Sequence, residues 1–218
     1  MRAAVIEHAC AGCGEPVHGE LATVLNAARF PEFRSQILDD SLHRVACTAC
    51  GRACRIELPL LYLDLPRGQW IACHPSGEEP EWRSHARTLE DRFNRTMIDL
   101  AAPIVRDMAA GLRRRLVFGH AALREKLIAD DHGIDDRDLE VLKVDLFAQT
   151  RLPLSSESRP RLAAVVDGAL QLEIRRPTGT IRIELPRRRL DDIATADRSR
   201  ARDAVQHPPY VDVACLWA

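Results

Sequence analysis

The sequence predicts an α+β protein in three parts: an N-terminal antiparallel sheet, a central helical segment, and a C-terminal β-hairpin with a flanking helix. Three observations carry that expectation. Two short motifs of the form C-x-x-C-G, Cys10-Ala11-Gly12-Cys13-Gly14 and Cys47-Thr48-Ala49-Cys50-Gly51, stand among strand-like segments. From Ala86 to Leu112 apolar residues recur at steps of three or four, the period of a helix. Residues 170–175 and 180–185 alternate with period two on either side of Pro177-Thr178-Gly179. The expected segments are therefore 1–80, 81–150 and 151–218.

The two cysteine motifs organise the first segment. A C-x-x-C turn lets two thiolates bind one metal ion while backbone N–H groups point at the sulfurs. The glycine that comes next suits a positive φ. One such knuckle is a weak signal, but two, joined by the 33 residues 14–46, bring four thiolates to one tetrahedral site. Cys10, Cys13, Cys47 and Cys50 are thus the predicted metal ligands, with structural zinc as the ion and a zinc-ribbon-like domain as the scaffold. Four thiolates leave no position for water, so Lewis-acid catalysis is not expected at this metal. A rubredoxin-like iron site is the competing reading, since four cysteines also suit iron. Against it, rubredoxins are small and acidic with an aromatic core, and no aromatic cluster flanks these knuckles. A dithiol redox site needs a strand–helix context that neither knuckle has.

Composition bounds the rest. A chain of 218 residues holds one or two domains and can bury a core. Hydrophobic residues at 46% and charged residues at 29% place it among soluble globular proteins. A net charge of −1 argues against general affinity for nucleic acid or anionic membrane. The basic residues are nearly all arginine, Lys126 and Lys143 being the two lysines, which reads as compositional bias. Seven cysteines, an odd number, suit a reducing compartment. The first residues carry no apolar run of leader length, and no run reaches the ~18 residues of a membrane span. The expectation is a cytoplasmic protein that does not enter a membrane.

Along the chain, residues 3–9 read as a strand, and Pro16 and Gly19 mark the exit from the first knuckle. Residues 20–28 lean to strand. A short helix is expected over 31–38, closed by Asp39-Asp40-Ser41, and a strand over 42–46. Alternation resumes at 53–58. Residues 60–65 and 69–73 make a hairpin around Pro66-Arg67-Gly68. Residues 1–75 together are expected to form one ribbon-like sheet, loosening over 5–75 when metal is removed while helices at 85–146 persist. Pro75, Gly77 and Pro80 mark a linker. Pro103 interrupts the helical stripe; a second helix capped by Asp99, with the proline in its first turn, accounts for it. Residues 116–118 suggest a strand and 121–131 a helix stopped by Gly133. Asp135 caps a further helix that buries Leu139, Leu142 and Leu146. Residues 155–160 read as loop, 187–205 as partly helical, and 210–217 as an apolar tail docked on the core.

With these elements placed, the first 75 residues resemble the CpXC family of bacterial and archaeal proteins. The resemblance rests on Cys10-x-x-Cys13-Gly14, Cys47-x-x-Cys50-Gly51, Leu58-Pro59-Leu60-Leu61-Tyr62 and Leu65-Pro66-Arg67-Gly68-Gln69-Trp70-Ile71. Arg115-Leu116-Val117-Phe118-Gly119, Leu123-Arg124-Glu125-Lys126-Leu127 and Gly133-Ile134-Asp135-Asp136 extend it to about residue 146. The family usually has proline after the first cysteine of a knuckle, whereas Ala11 and Thr48 stand there in this chain. Proline stiffens that turn but supplies no ligand. The resemblance implies a zinc-ribbon-like domain and names no activity.

The remaining chemistry-bearing residues have plainer readings. Cys54 and Cys73 fall on strands and suit core packing, with Cys54 or His74 as alternative metal ligands; Cys215 lies in the apolar tail. The carboxylate-rich run 130–140 has its glycine misplaced for an EF-hand and reads as one helix end and the cap of the next. Arg113-Arg114-Arg115 and Arg187-Arg188-Arg189 could meet phosphate, but they lack interleaved aromatics. No nucleophile–base–carboxylate set, G-x-S-x-G or P-loop pattern occurs. The leading reading is a non-enzymatic, zinc-stabilised interaction or scaffold protein whose partner is another protein. The alternatives are a nucleic-acid-associated module using Arg113, Arg114 and Arg115, and an iron-site electron carrier.

Overall fold

The computed structural model describes residues 2–150, 159–176 and 179–216. In chain order the first half holds β1 (Ala3–Ala9), β2 (Pro16–Ala22), β3 (Val24–Asn26), α1 (Glu32–Leu38), β4 (Arg44–Ala46) and β5 (Ala53–Arg55). Then come β6 (Leu60–Asp64), β7 (Gln69–His74), α2 (Trp82–Phe93), α3 (Pro103–Ala109), β8 (Arg113–Phe118) and α4 (His120–Asp131). The second half holds α5 (Asp136–Thr150), β9 (Arg161–Val166), β10 (Ala169–Arg176), β11 (Gly179–Pro186), α6 (Arg188–Thr195), α7 (Ser199–Ala204), β12 (Gln206–His207) and β13 (Tyr210–Val211). The class is α+β, with the antiparallel pair at the N-terminus. The chain divides within α4 into two compact units, Met1–Leu123 and Arg124–Ala218. Among the described residues no helix is long and apolar enough to cross a membrane.

In the first unit, residues 1–75 do not share one sheet. β1 pairs antiparallel with β2, and β4 antiparallel with β5, as two separate two-stranded ladders. The expected β6–β7 hairpin is present, but it belongs to a mixed sheet of order β8-β7-β6-β3. β3 lies parallel to β6 and β7 parallel to β8. Parallel neighbours need long crossovers. The first carries α1 and the β4–β5 ladder, and the second carries α2 and α3. Strands buried on both faces read as continuous apolar runs, and Trp70, Ile71, Ala72 and Cys73 of β7 are all buried. α2 covers this sheet, with Phe93 edge-on to Trp70 at 5.2 Å between ring centroids.

The helical stripe holds only in part. Ala86, Leu89, Phe93 and Met97 are buried, but Leu100 is 78% and Ile104 70% exposed. A π-turn over Asn94–Asp99 succeeds α2. One extra residue in a turn rotates the residues beyond it by about 100°. Ala102, in extended conformation, then resets the chain. Pro103 opens a second helix as expected, but Ala102 rather than Asp99 holds the cap position, because the π-turn runs on through Asp99.

In the second unit, β9, β10 and β11 form an antiparallel sheet of order β11-β10-β9. Leu170, Leu172 and Ile174 of β10 are fully buried on its inner face. The Pro177-Thr178 part of the expected turn, and 155–158 of the polar loop, lie outside the described residues. α5 begins as expected: Asp135 Oδ1 accepts the Arg137 N–H at 2.9 Å, and Leu139, Leu142 and Leu146 are buried. Replacing a capping aspartate by alanine costs about 1 kcal/mol. Asp135→Ala should lower the unfolding free energy of this unit, measured in urea, by that amount, with no change in metal content.

Candidate metal centre

The two knuckles are built alike. β1 delivers Cys10, and β4 delivers Cys47. In each, the first cysteine's N–H bonds the carbonyl five residues on: Cys10 to Glu15 and Cys47 to Arg52, both at 2.9 Å. Its carbonyl accepts the N–H of the closing glycine, Gly14 or Gly51, at 2.8 Å. Those glycines have φ of +79° and +71°. The space around them is open, so backbone conformation and not crowding selects glycine there. At Gly12 the reason differs, since an added Cβ would meet the Arg52 side chain at 2.9 Å.

The structure brings all four predicted cysteines together. Their sulfurs lie within 4.8 Å of one another, with Cys10 to Cys50 and Cys13 to Cys47 each at 3.7 Å. A tetrahedral site with metal–sulfur bonds of about 2.3 Å has edges of about 3.8 Å. The donor set and its spacing therefore fit one tetrahedral ion, which these four residues would hold. Cys10 and Cys47 are buried, while Cys13 and Cys50 face solvent. Beneath the sulfurs lies a small apolar cluster that includes Val17, Ile56, Ile6 and Leu58.

The electrostatics of the sulfurs also invite a cation. The Gly12 and Cys13 N–H groups lower the Cys10 thiol to about 6. At Cys13 the Glu15 N–H acts downward, but Cys50, burial and the other sulfurs outweigh it and raise the thiol to about 12. One thiolate among close neighbours suppresses ionisation of the rest, and a bound cation removes that conflict. Cys54 is not among the four but sits behind them, its Sγ 3.5 Å from that of Cys10. It is placed to donate an S–H to the Cys10 sulfur, a supporting contact of the kind that orients metal ligands. The second knuckle is anchored from outside by Asp40, which accepts Arg55 Nη1 at 2.7 Å and Arg44 Nη2 at 3.2 Å.

The other candidates fall elsewhere. His74 does not join the sulfurs: its Nδ1 lies 3.0 Å from Glu78 Oε2, and His85 Nε2 lies 3.4 Å from the same oxygen. Burial is the main cause that holds the His74 pKa below its usual value. Cys73 is buried in β7 and its thiol is pushed up by burial; Cys215 is half-buried. Arg113, Arg114 and Arg115 lie consecutively on β8, so alternation sends neighbours to opposite faces. Arg114 bonds Glu90 at 2.9 Å and stacks on Phe93.

Sequence reasoning passed over a buried charge network in the second unit. Glu125, Glu140 and Lys143 have no solvent exposure. Lys143 Nζ donates to Glu125 Oε1 at 2.7 Å and to Glu140 Oε1 at 2.9 Å. Lys126 pairs with Asp136 at 3.0 Å, and Arg161 with Glu125 and Asp212 at 2.9 and 2.8 Å. Both lysines of the chain are thus engaged in this network. The signal was present: Lys143 lies three and four residues from Leu146 and Leu139, on the buried stripe of its helix.

No curated protein and no solved structure matches the chain. The sequence model of one family, described as CpXC protein, matches residues 9–143. That span holds both knuckles, the mixed sheet and α2 to α4, and reaches into α5. With the paired knuckles bringing four sulfurs within 4.8 Å of one another and most of its length matched, the chain belongs to the CpXC family.

Proposed function

We propose that this is a non-enzymatic zinc protein whose four-cysteine ribbon serves as a structural element of an interaction or scaffold module. The observation that carries the reading is the closed donor set: four sulfurs at tetrahedral spacing, with the nearby fifth sulfur, Cys54, buried behind Cys10. A closed set binds metal for structure and offers substrate no position. Leu100 and Ile104 expose apolar side chains four residues apart, which suits an interaction role, since larger exposed apolar patches mark such sites.

Elemental analysis of the purified chain, with its visible spectrum, tests the reading. Zinc should occupy the four-cysteine site, the solution should be colourless, and Cys13→Ser should lose that zinc. Iron with visible thiolate absorption would replace this reading by the rubredoxin-like one. The nucleic-acid alternative is tested by anisotropy with single-stranded and duplex probes. No salt-dependent binding that Arg113→Ala, Arg114→Ala and Arg115→Ala abolish is expected.

A further inference from the structure

His74, Glu78 and His85 form a second group of metal-ligand type in the Met1–Leu123 unit, distinct from the four sulfurs. They come from three successive pieces of chain. His74 ends β7, Glu78 lies in the 3₁₀ turn Ser76–Glu81, and His85 stands in the first turn of α2. Folding that short stretch back on itself places His74 Nδ1, Glu78 Oε2 and His85 Nε2 within 4.8 Å of one another. The geometry points to a divalent transition-metal site formed by these three atoms, with its remaining positions open to water or a small anion.

The distances support an ion. Bonds of about 2.1 Å give donor–donor edges of about 3.0 Å in octahedral and about 3.4 Å in tetrahedral ligation. The two edges to Glu78 measure 3.0 Å and 3.4 Å. A simple hydrogen-bonded pair between His74 and Glu78 accounts for only one of them. His85 Nε2 is shielded from solvent and has no hydrogen-bond partner, and leaving a buried polar nitrogen unsatisfied costs about 1–3 kcal/mol. A metal bound there satisfies it. Two imidazoles and a carboxylate suit zinc or another first-row ion. The two rings lie 4.0 Å apart between centroids. Three protein ligands leave the site open, unlike the four-cysteine centre.

The test counts metal on the full chain. Wild type, His85→Ala, Glu78→Gln and Cys47→Ser are loaded with Zn²⁺, desalted and analysed, with circular dichroism checking the fold. Two zinc ions per chain are expected in wild type and one in each variant. One ion in wild type, or an unchanged count in both His85→Ala and Glu78→Gln, overturns the second site. If wild type holds one ion and Cys47→Ser none, the four-cysteine centre stands alone. Cobalt bound to Cys47→Ser should show no thiolate charge-transfer absorption; its presence would assign that ion to the remaining cysteines and overturn the assignment. Glu78→Gln keeps the side-chain shape, so a loss of metal there is not a loss of packing.

Discussion

Cys47→Ser should release the ribbon metal and expose the ribbon to trypsin at Arg44, Arg52 and Arg55, while Arg114 and Arg115 stay resistant. The ladders β1–β2 and β4–β5 have two strands each, and isolated two-stranded ladders are marginal in water. The apolar cluster beneath the knuckles is small, and two of its buried members, Cys10 and Cys47, are themselves predicted ligands. Apparent binding energies of structural zinc in finger peptides are about 10–16 kcal/mol near neutral pH. That rivals the whole stability of an ordinary domain, about 5–15 kcal/mol. Loss of one ligand should therefore dominate every local contact in the ribbon. Arg114 and Arg115 lie on β8, paired with β7 in the mixed sheet, which carries its own buried core.

Lys143→Ala should destabilise the second unit by about 3–5 kcal/mol, the usual cost of breaking a buried ion pair from one side. Glu125 and Glu140 would then lose the ammonium they share while remaining fully buried. Removing one carboxylate with the lysine, as in Lys143→Met with Glu140→Gln, should recover part of that loss, because Glu125 keeps Arg161 and Glu140 no longer carries a stranded charge. Urea unfolding monitored by circular dichroism measures both. Acid should act on the same network. At Asp212 burial works upward, but Arg161 and Arg159 overcome it and hold the carboxyl far below its usual range. At Glu125 burial likewise works upward, and Lys143 and Arg161 overcome it. Carboxyls with depressed folded values stabilise above the unfolded value, about 4, and lose that contribution as pH falls through the folded one. Glu140 has the opposite sign, raised chiefly by burial, so its protonation offsets part of the loss. Urea midpoints should fall between pH 7 and pH 3, and by less in Asp212→Asn than in wild type.

Local signals carried most of what could be read in advance. The spacing of the knuckles announces the cluster of four cysteines, and Asp135 and Leu139-x-x-Leu142 announce a capped, half-buried helix through short-range chemistry. Pairing between distant strands has no such signature. β3 beside β6 and β7 beside β8 are parallel neighbours set by crossovers, so a reading from local hairpins merged 1–75 into one ribbon. β9 was missed because Leu162-Ala163-Ala164-Val165-Val166 shows no alternation. The stripe after Met97 failed because a π-turn, invisible to periodicity, turned its apolar face outward. His74, Glu78 and His85 obey no single period, and only the turn at Pro75 and Pro80 brings them together. The arginine-rich composition made two lysines look incidental, although each sits between buried leucines.

Hydrogen exchange on the wild-type chain with zinc and after chelation tests the central claim, that the metal holds the ribbon and the mixed sheet stands without it. Removing zinc should abolish protection over residues 3–22 and 44–58. Protection should persist over β6 and β7 (60–74) and over α4 and α5. Unchanged protection in the ribbon would show the four-cysteine metal to be dispensable, and loss extending through 60–74 would show ribbon and mixed sheet to be one cooperative unit; either result contradicts that claim.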